Sequence, residues 1–173
     1  MRRTALILLL SLASGAAIAA DKAGKGAVAT FATPDGKTVG TAHFTPATDG
    51  VAIHIMVNGL PPGMHGIHLH TVGSCKAPDF ASAGSHWNPM KKMHGLESPQ
   101  GAHMGDIPNL VVNADGTGML SALVKGAHLN SSETGLFDSD GTAVVIHAGP
   151  DDNKTDPSGN SGGRIACGVV TAS

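Results

Sequence analysis

Glycine and proline recur along nearly all of the chain beyond residue 20, and they set the strongest limit on what it can fold into. There are 24 Gly and 10 Pro in 173 residues. Proline breaks a helix and glycine weakens one, so no long helix fits between them. The intervals hold short runs of alternating polarity instead. Val51, Ile53, Ile55 and Val57 point one way, and Ala52, His54, Met56 and Asn58 the other, which describes a half-buried strand. Residues 27–31, 39–45, 66–71, 110–113, 119–124, 143–148 and 165–171 read as further strands. Pro34-Asp35-Gly36 and Asp115-Gly116 supply turns. Eight short strands with Gly-rich turns predict an all-β antiparallel sandwich or barrel.

The length suits one domain. The chain is 41% hydrophobic but only 3% aromatic, with no Tyr, so the core must come from Val, Ile, Leu, Ala and Met. A formal charge of −2 provides no electrostatic footprint for nucleic acid. Residues 1–20 read as a cleaved secretory signal: Arg2 and Arg3, an apolar run over 5–12, then Ala17-Ile18-Ala19, with cleavage after Ala19 or Ala20. That run is too short to span a membrane, so no membrane association is expected once it is removed. Residues 21–173 form the folded domain. Loss of the two arginines takes its charge from −2 to −4. Export makes Cys75 and Cys167 an expected disulfide, two buried thiols being the alternative.

Two segments carry little periodicity, 72–108 and 149–163. Long loops inside compact domains are usually functional. Ten histidines are the other anomaly of the composition. His68 and His70 lie two apart on an expected strand, so their rings leave one face about 6.6 Å apart. The first loop holds His86, His94, His103 and Asp106, a complete tetrahedral donor set for a closed zinc site. His147 ends the run Val144-Val145-Ile146 and could return to His68 and His70 across a barrel.

These residues resemble a known family. Gly63-Met64-His65-Gly66-Ile67-His68-Leu69-His70 and Gly73-Ser74-Cys75 are similar to the signature of exported bacterial copper/zinc superoxide dismutases. The similarity continues through Gly84-Ser85-His86-Trp87-Asn88-Pro89, His94-Gly95 and His103-Met104-Gly105-Asp106. It ends with Val145-Ile146-His147 and Gly163-Arg164-Ile165-Ala166-Cys167-Gly168. The resemblance implies a flattened eight-stranded Greek-key β-barrel with two long functional loops. It implies one copper per subunit on His68, His70, His86 and His147, and one zinc on His86, His94, His103 and Asp106, so that His86 is shared. Asp151 is implied as the carboxylate joining a copper histidine to a zinc histidine, with Asp152 an adjacent competitor.

The activity implied is superoxide dismutation in the periplasm, an antioxidant defence. Copper alternates between Cu(II) and Cu(I), and His86 breaks from copper and carries a proton. Arg164 matches the cation beside copper that attracts the substrate anion. Lys91, Lys92 and Lys154 are candidates for steering, though any one of them taken alone reads rather as a solvated loop lysine. Met90, Met93 and Met104 could receive Cu(I) or fill gaps in the core. His43, His54, His65 and His128 match no ligand position and read as surface residues or partners of ligands. The competing classes are an exported metal-storage protein and a zinc hydrolase. Storage does not need a shared histidine, and hydrolysis needs an open zinc position. Both a monomer and a homodimer suit the sequence.

Overall fold

The computed structural model describes residues 26–173, so the expected signal segment lies outside the described residues. The domain is one antiparallel sheet curled into a nearly closed barrel. β1 (Ala27–Ala32), β2 (Thr38–Ala47) and β3 (Gly50–Asn58) form a meander. β4 (Gly63–His65) and β5 (Ile67–His70) follow, then β6 (Leu110–Val112) and β7 (Thr117–Lys125). β8 (Ala143–His147), β9 (Arg164–Val169) and β10 (Thr171–Ala172) complete the set. Across the sheet the order is β4-β6-β7-β3-β2-β1-β9-β8-β5, with β10 beside β1. The connection from β3 to β4 skips over β7 and β6, which is a Greek-key crossover. Among the described residues there is no α-helix, only a 3₁₀ turn over Ala81–Ala83, and no helix long and apolar enough to cross a membrane.

The two ends of that order, β4 and β5, are consecutive in the chain and separated only by Gly66. The covalent chain thus closes the barrel. At Gly66 it leaves its partner β6 and joins β8: the Gly66 N–H donates to Gly149 O (2.8 Å), and Gly66 O accepts from the His147 N–H (2.8 Å). This accounts for ten strands where eight were expected. The strand read from residue 66 begins at Gly63 and is divided at Gly66, and the last strand is interrupted at Val170.

The barrel interior holds Phe31, Phe44, Ile53, Ile55, Ile67, Leu69, Leu110 and Ile146, all but fully buried. β8 is buried at every position, unlike the half-exposed β2. Val144 and Ile146 face the barrel core, whereas Ala143 and Val145 face a second cluster with Phe80, Ala83 and Cys167. A strand covered on both faces loses its alternation and reads as a continuous apolar run. The second cover is the 72–108 loop, which makes this wall of the barrel the natural place for a buried site.

Cys75 and Cys167 form a disulfide, with Cα atoms 5.7 Å apart and a sequence separation of 92. It ties that loop to β9. Closing a loop of this length restricts the unfolded chain by about 4–5 kcal/mol. The double substitution Cys75→Ser with Cys167→Ser should therefore lower the calorimetric unfolding midpoint by about 10–15 °C. A midpoint unchanged within error would show that the cross-link adds nothing to the packed loop.

Candidate metal centre

β5 is the last strand of the sheet order, and its outer edge is paired by the loop rather than by another strand. Leu69 N–H donates to Gly105 O (2.9 Å), Leu69 O accepts from Trp87 N–H (2.8 Å), and Gly105 N–H donates to Trp87 O (2.8 Å). Short antiparallel bridges set His70 opposite His86 and His68 opposite Asp106. Loop residues far away in sequence thus arrive beside the two strand histidines. The approach is close enough to require glycine at 105, where a Cβ would overlap Leu69 O.

His68, His70, His86 and His147 are buried, and one ring nitrogen from each lies within 4.8 Å of the others. Their unused nitrogens are fixed by partners. His70 Nδ1–H donates to Gly84 O (3.0 Å), His147 Nδ1–H to Gly162 O (3.2 Å) and His68 Nε2–H to Asp151 Oδ2 (2.6 Å). The remaining atoms, His68 Nδ1, His70 Nε2, His86 Nε2 and His147 Nε2, are buried without any hydrogen-bond partner. A buried unpaired nitrogen is costly, and four converging ones are a metal cradle. All-imidazole donors suit copper. Burial lowers the pKa of His70 to about 2, of His86 to about 4 and of His147 to about 3, so their nitrogens stand ready to bind near neutral pH.

His86, His94, His103 and Asp106 form the second group. Asp106 Oδ1 lies 3.0 Å from His86 Nδ1, 3.1 Å from His94 Nδ1 and 3.4 Å from His103 Nδ1, and the last is 3.4 Å from His86 Nδ1. A tetrahedral zinc ion with bonds of about 2.0–2.1 Å separates its ligands by about 3.3 Å, so the donors fit zinc. Asp106 Oδ2 is held by the N–H groups of Gly95 (2.9 Å) and His103 (3.0 Å), leaving Oδ1 for the metal. Burial alone would raise the Asp106 pKa, but bonds from the three imidazoles and the Gly95 N–H outweigh it and hold the carboxyl well below its usual range. One ring serves both groups: His86 places Nδ1 in the zinc set and Nε2 in the copper set.

Asp151 joins the groups from behind, accepting from His68 Nε2 and from His94 Nε2 (3.0 Å). Burial raises its pKa, and the bonds from His68, His94 and the Asn153 N–H lower it by more. Asp152 is exposed and instead caps the N–H groups of Lys154 and Thr155. Arg164 is half-buried, its guanidinium donating to Phe80 O (2.6 Å) and Gly84 O (2.7 Å). Lys91 and Lys92 are exposed, and Lys154 is paired with Glu97 (2.9 Å). Of the methionines, Met104 packs on the core, while Met90 and Met93 are exposed.

Sequence reasoning missed two contributors and left a third, His65, between a surface residue and a ligand's partner. His65 is buried, with Nδ1 2.8 Å from His147 O and Nε2 2.9 Å from Pro61 O; its place in the same Gly-rich motif as His68 was the available signal. Asn109 clamps Asp151 by two reciprocal bonds, its Nδ2 donating to Asp151 O (2.9 Å) and its Oδ1 accepting from Asp151 N–H (2.8 Å). Gly159, at φ +62°, passes so close that a Cβ would overlap the Asp151 carboxylate. Neither of the latter two has a sequence signal.

His94 titrates the other way from its neighbours. Burial lowers its pKa, but bonds to Asp106 and Asp151 outweigh that and raise it to about 9. In the metal-free protein His94 is therefore protonated at pH 7.5, whereas a zinc ligand must be neutral. Zinc uptake at pH 7.5 should release about one proton from His94, and zinc affinity should climb up to about tenfold per pH unit from pH 7, levelling off above about 9. Calorimetry in buffers of different ionisation enthalpy reads this directly; no proton release at pH 7.5 would contradict it.

The profile of the copper/zinc superoxide dismutase family matches residues 38–170. A copper-zinc superoxide dismutase of Aquifex aeolicus is 44% identical over 138 residues, covering 79% of this chain and 81% of that protein. The crystal structure of a SOD-like protein from Bacillus subtilis superposes with a TM-score of 0.78 at 42% identity, covering 82% of this chain and 96% of the other. The copper/zinc superoxide dismutase from Brucella abortus superposes with a TM-score of 0.65 at 30% identity, covering 83% and 98%. The Greek-key barrel, the two facing donor groups and these similarities together show that the chain belongs to the copper/zinc superoxide dismutase family.

Proposed function

We propose that this protein converts two superoxide anions and two protons into dioxygen and hydrogen peroxide. The observation that carries the reading is the His86 ring, whose two nitrogens belong to two different donor groups. Copper held by His68, His70, His86 and His147 supplies the one-electron couple that side chains lack, and zinc held by His86, His94, His103 and Asp106 supplies fixed charge without redox chemistry.

The chain's own residues do the rest. His86 Nε2 holds a proton and delivers it to the reduced substrate. His86 Nδ1 stays engaged with the Asp106 side, so the ring keeps its orientation while Nε2 exchanges its partner. Arg164 presents a planar cation to the anion, held in place by the carbonyls of Phe80 and Gly84. Gly84 O also accepts from His70 Nδ1, so the substrate-attracting group and one copper ligand share an anchor.

Loaded with one copper and one zinc, the protein should consume superoxide rapidly. A protein carrying both metals and inert toward superoxide would overturn the reading. Arg164→Ala should keep both metals and lose about tenfold or more in kcat/KM, the worth of a charged hydrogen bond to the substrate. Loss of copper instead would mean that Arg164 holds the site together rather than the anion.

We also propose that the protein works in the periplasm, with residues 1–20 as a removed signal and 21–173 as the mature domain. The disulfide favours an oxidising compartment, and Arg2, Arg3 and the apolar run behind them suit export. N-terminal sequencing of the periplasmic protein should begin at Ala20 or Asp21. An intact Met1 on cytosolic protein would contradict this.

A further inference from the structure

A separate group of metal donors lies on the outer wall of the barrel. In the β2–β3 ladder His43 stands opposite His54, and in the β3–β7 ladder His54 stands opposite Ser121. Two residues along, the next outward pair is Met56 against Met119. Residues two apart on a strand share a face, and direct cross-strand partners have Cβ atoms about 4.5–5.5 Å apart. All four side chains lie on one surface, where His54 is the shared neighbour: His43 stands beside it, Met56 follows on its own strand, and Met119 is diagonal to it. His43 is exposed, His54 is half-buried, and Met56 and Met119 are 41% and 64% exposed. A shallow depression of about 350 Å³ opens at the histidine pair, bordered by Ser121 and Leu123. The hydrogen bonds of the seven ligand side chains involve no residue of β2, β3 or β7.

His54 is already set as a ligand. Its Nδ1 lies 2.9 Å from Ser121 Oγ. Donation of Nδ1–H to that hydroxyl fixes the ring and leaves the Nε2 lone pair outward, which is how a metal-binding imidazole is ordinarily supported. His43 supplies a second imidazole from the adjacent strand. The methionine pair has no core to fill at this surface, unlike Met104, and a thioether is a soft donor suited to Cu(I).

We infer that this face is an additional copper site. His43 and His54 chelate Cu(II) through their imidazoles, and His54 together with Met56 and Met119 holds Cu(I). Copper is selected over zinc because two imidazoles leave zinc's tetrahedral set incomplete, because copper binds nitrogen donors more strongly, and because the neighbouring sulfurs favour the reduced ion. The site concerns binding alone and does not depend on the dismutase reading.

The test starts from protein with its resident copper and zinc in place, titrated with aqueous Cu(II) under equilibrium dialysis and electron paramagnetic resonance. One further Cu(II) per chain is expected, with a two-nitrogen spectrum. His43→Ala and His54→Ala should each weaken it by about tenfold or more, and Ser121→Ala by about tenfold, the usual effect of removing a ligand's support. Superoxide consumption should not change, and His128→Ala should leave the uptake intact. With anaerobic Cu(I) against a competing chelator, Met56→Leu combined with Met119→Leu should lower retention about tenfold while Cu(II) uptake persists. No further copper, or undiminished uptake by the His43→Ala/His54→Ala double variant, overturns the site. Unchanged Cu(I) retention in the methionine variant overturns the thioether role. Protein that lacks dismutase activity yet still takes the extra copper refutes the earlier reading and leaves this one standing.

Discussion

Three backbone hydrogen bonds around Leu69 hold the metal centre together. Leu69, Trp87 and Gly105 bond to one another in a closed triangle, which seats two separate stretches of the 72–108 loop on the free edge of β5. An edge strand must be paired or covered, and here the cover also brings the chemistry. The same seating sets His86 beside His70 and Asp106 beside His68. It also closes the outer cluster of Phe80, Ala83 and Val145 over β8. Without this contact the loop donors would have no fixed relation to the strand donors, because only backbone pairing gives a long irregular segment a register.

Once seated, the site is held by groups behind the ligands. Each strand histidine donates one nitrogen to a carbonyl or carboxylate and turns the other toward a common point. This is costly in the empty protein, where four buried nitrogens lack partners and several imidazoles crowd together. The metals relieve that cost, so metal affinity and loop order are one free energy seen from two sides. Asp151 makes the coupling tighter. It binds a histidine of each group at once, and Asn109 holds its backbone from outside the loop that carries it. A disturbance at the zinc side therefore reaches the copper side by two routes, His86 and Asp151.

Much of this was legible in the sequence, for identifiable reasons. The strands with one wet face, such as β3, announce themselves by alternation, whereas β8 hides its alternation because loop and barrel bury both faces. The division of one expected strand at Gly66 had no signature, since it depends on a change of partner from β6 to β8 rather than on a change of residue type. The donor set was readable because imidazoles and a carboxylate in a Gly-rich loop have few other uses. The resemblance put Asp151 ahead of Asp152, without a physical ground in the sequence. What separates them is Asn109, 42 residues away. His65 read as a surface residue or a ligand's partner, and it is buried against the backbone of His147. Contacts made through carbonyls carry no residue code, and for that reason the anchors of Arg164 were invisible as well.

The disulfide acquires a second meaning from those anchors. Cys75 and Cys167 join the loop to β9, and Arg164, three residues before Cys167, joins the same two segments through Phe80 O and Gly84 O. The covalent bond and the two charged hydrogen bonds are parallel cross-links between the same pieces of chain. A covalent link that fixes the spacing reduces the entropy the guanidinium would otherwise lose in finding its carbonyls. Gly84 extends the chain of dependence, because its carbonyl accepts from both Arg164 and His70. The oxidised cysteines thus stand two short steps from His70 in the four-histidine group. The disulfide therefore does more than stabilise the fold: it holds β9, with Arg164, against the loop whose Gly84 carbonyl also anchors His70.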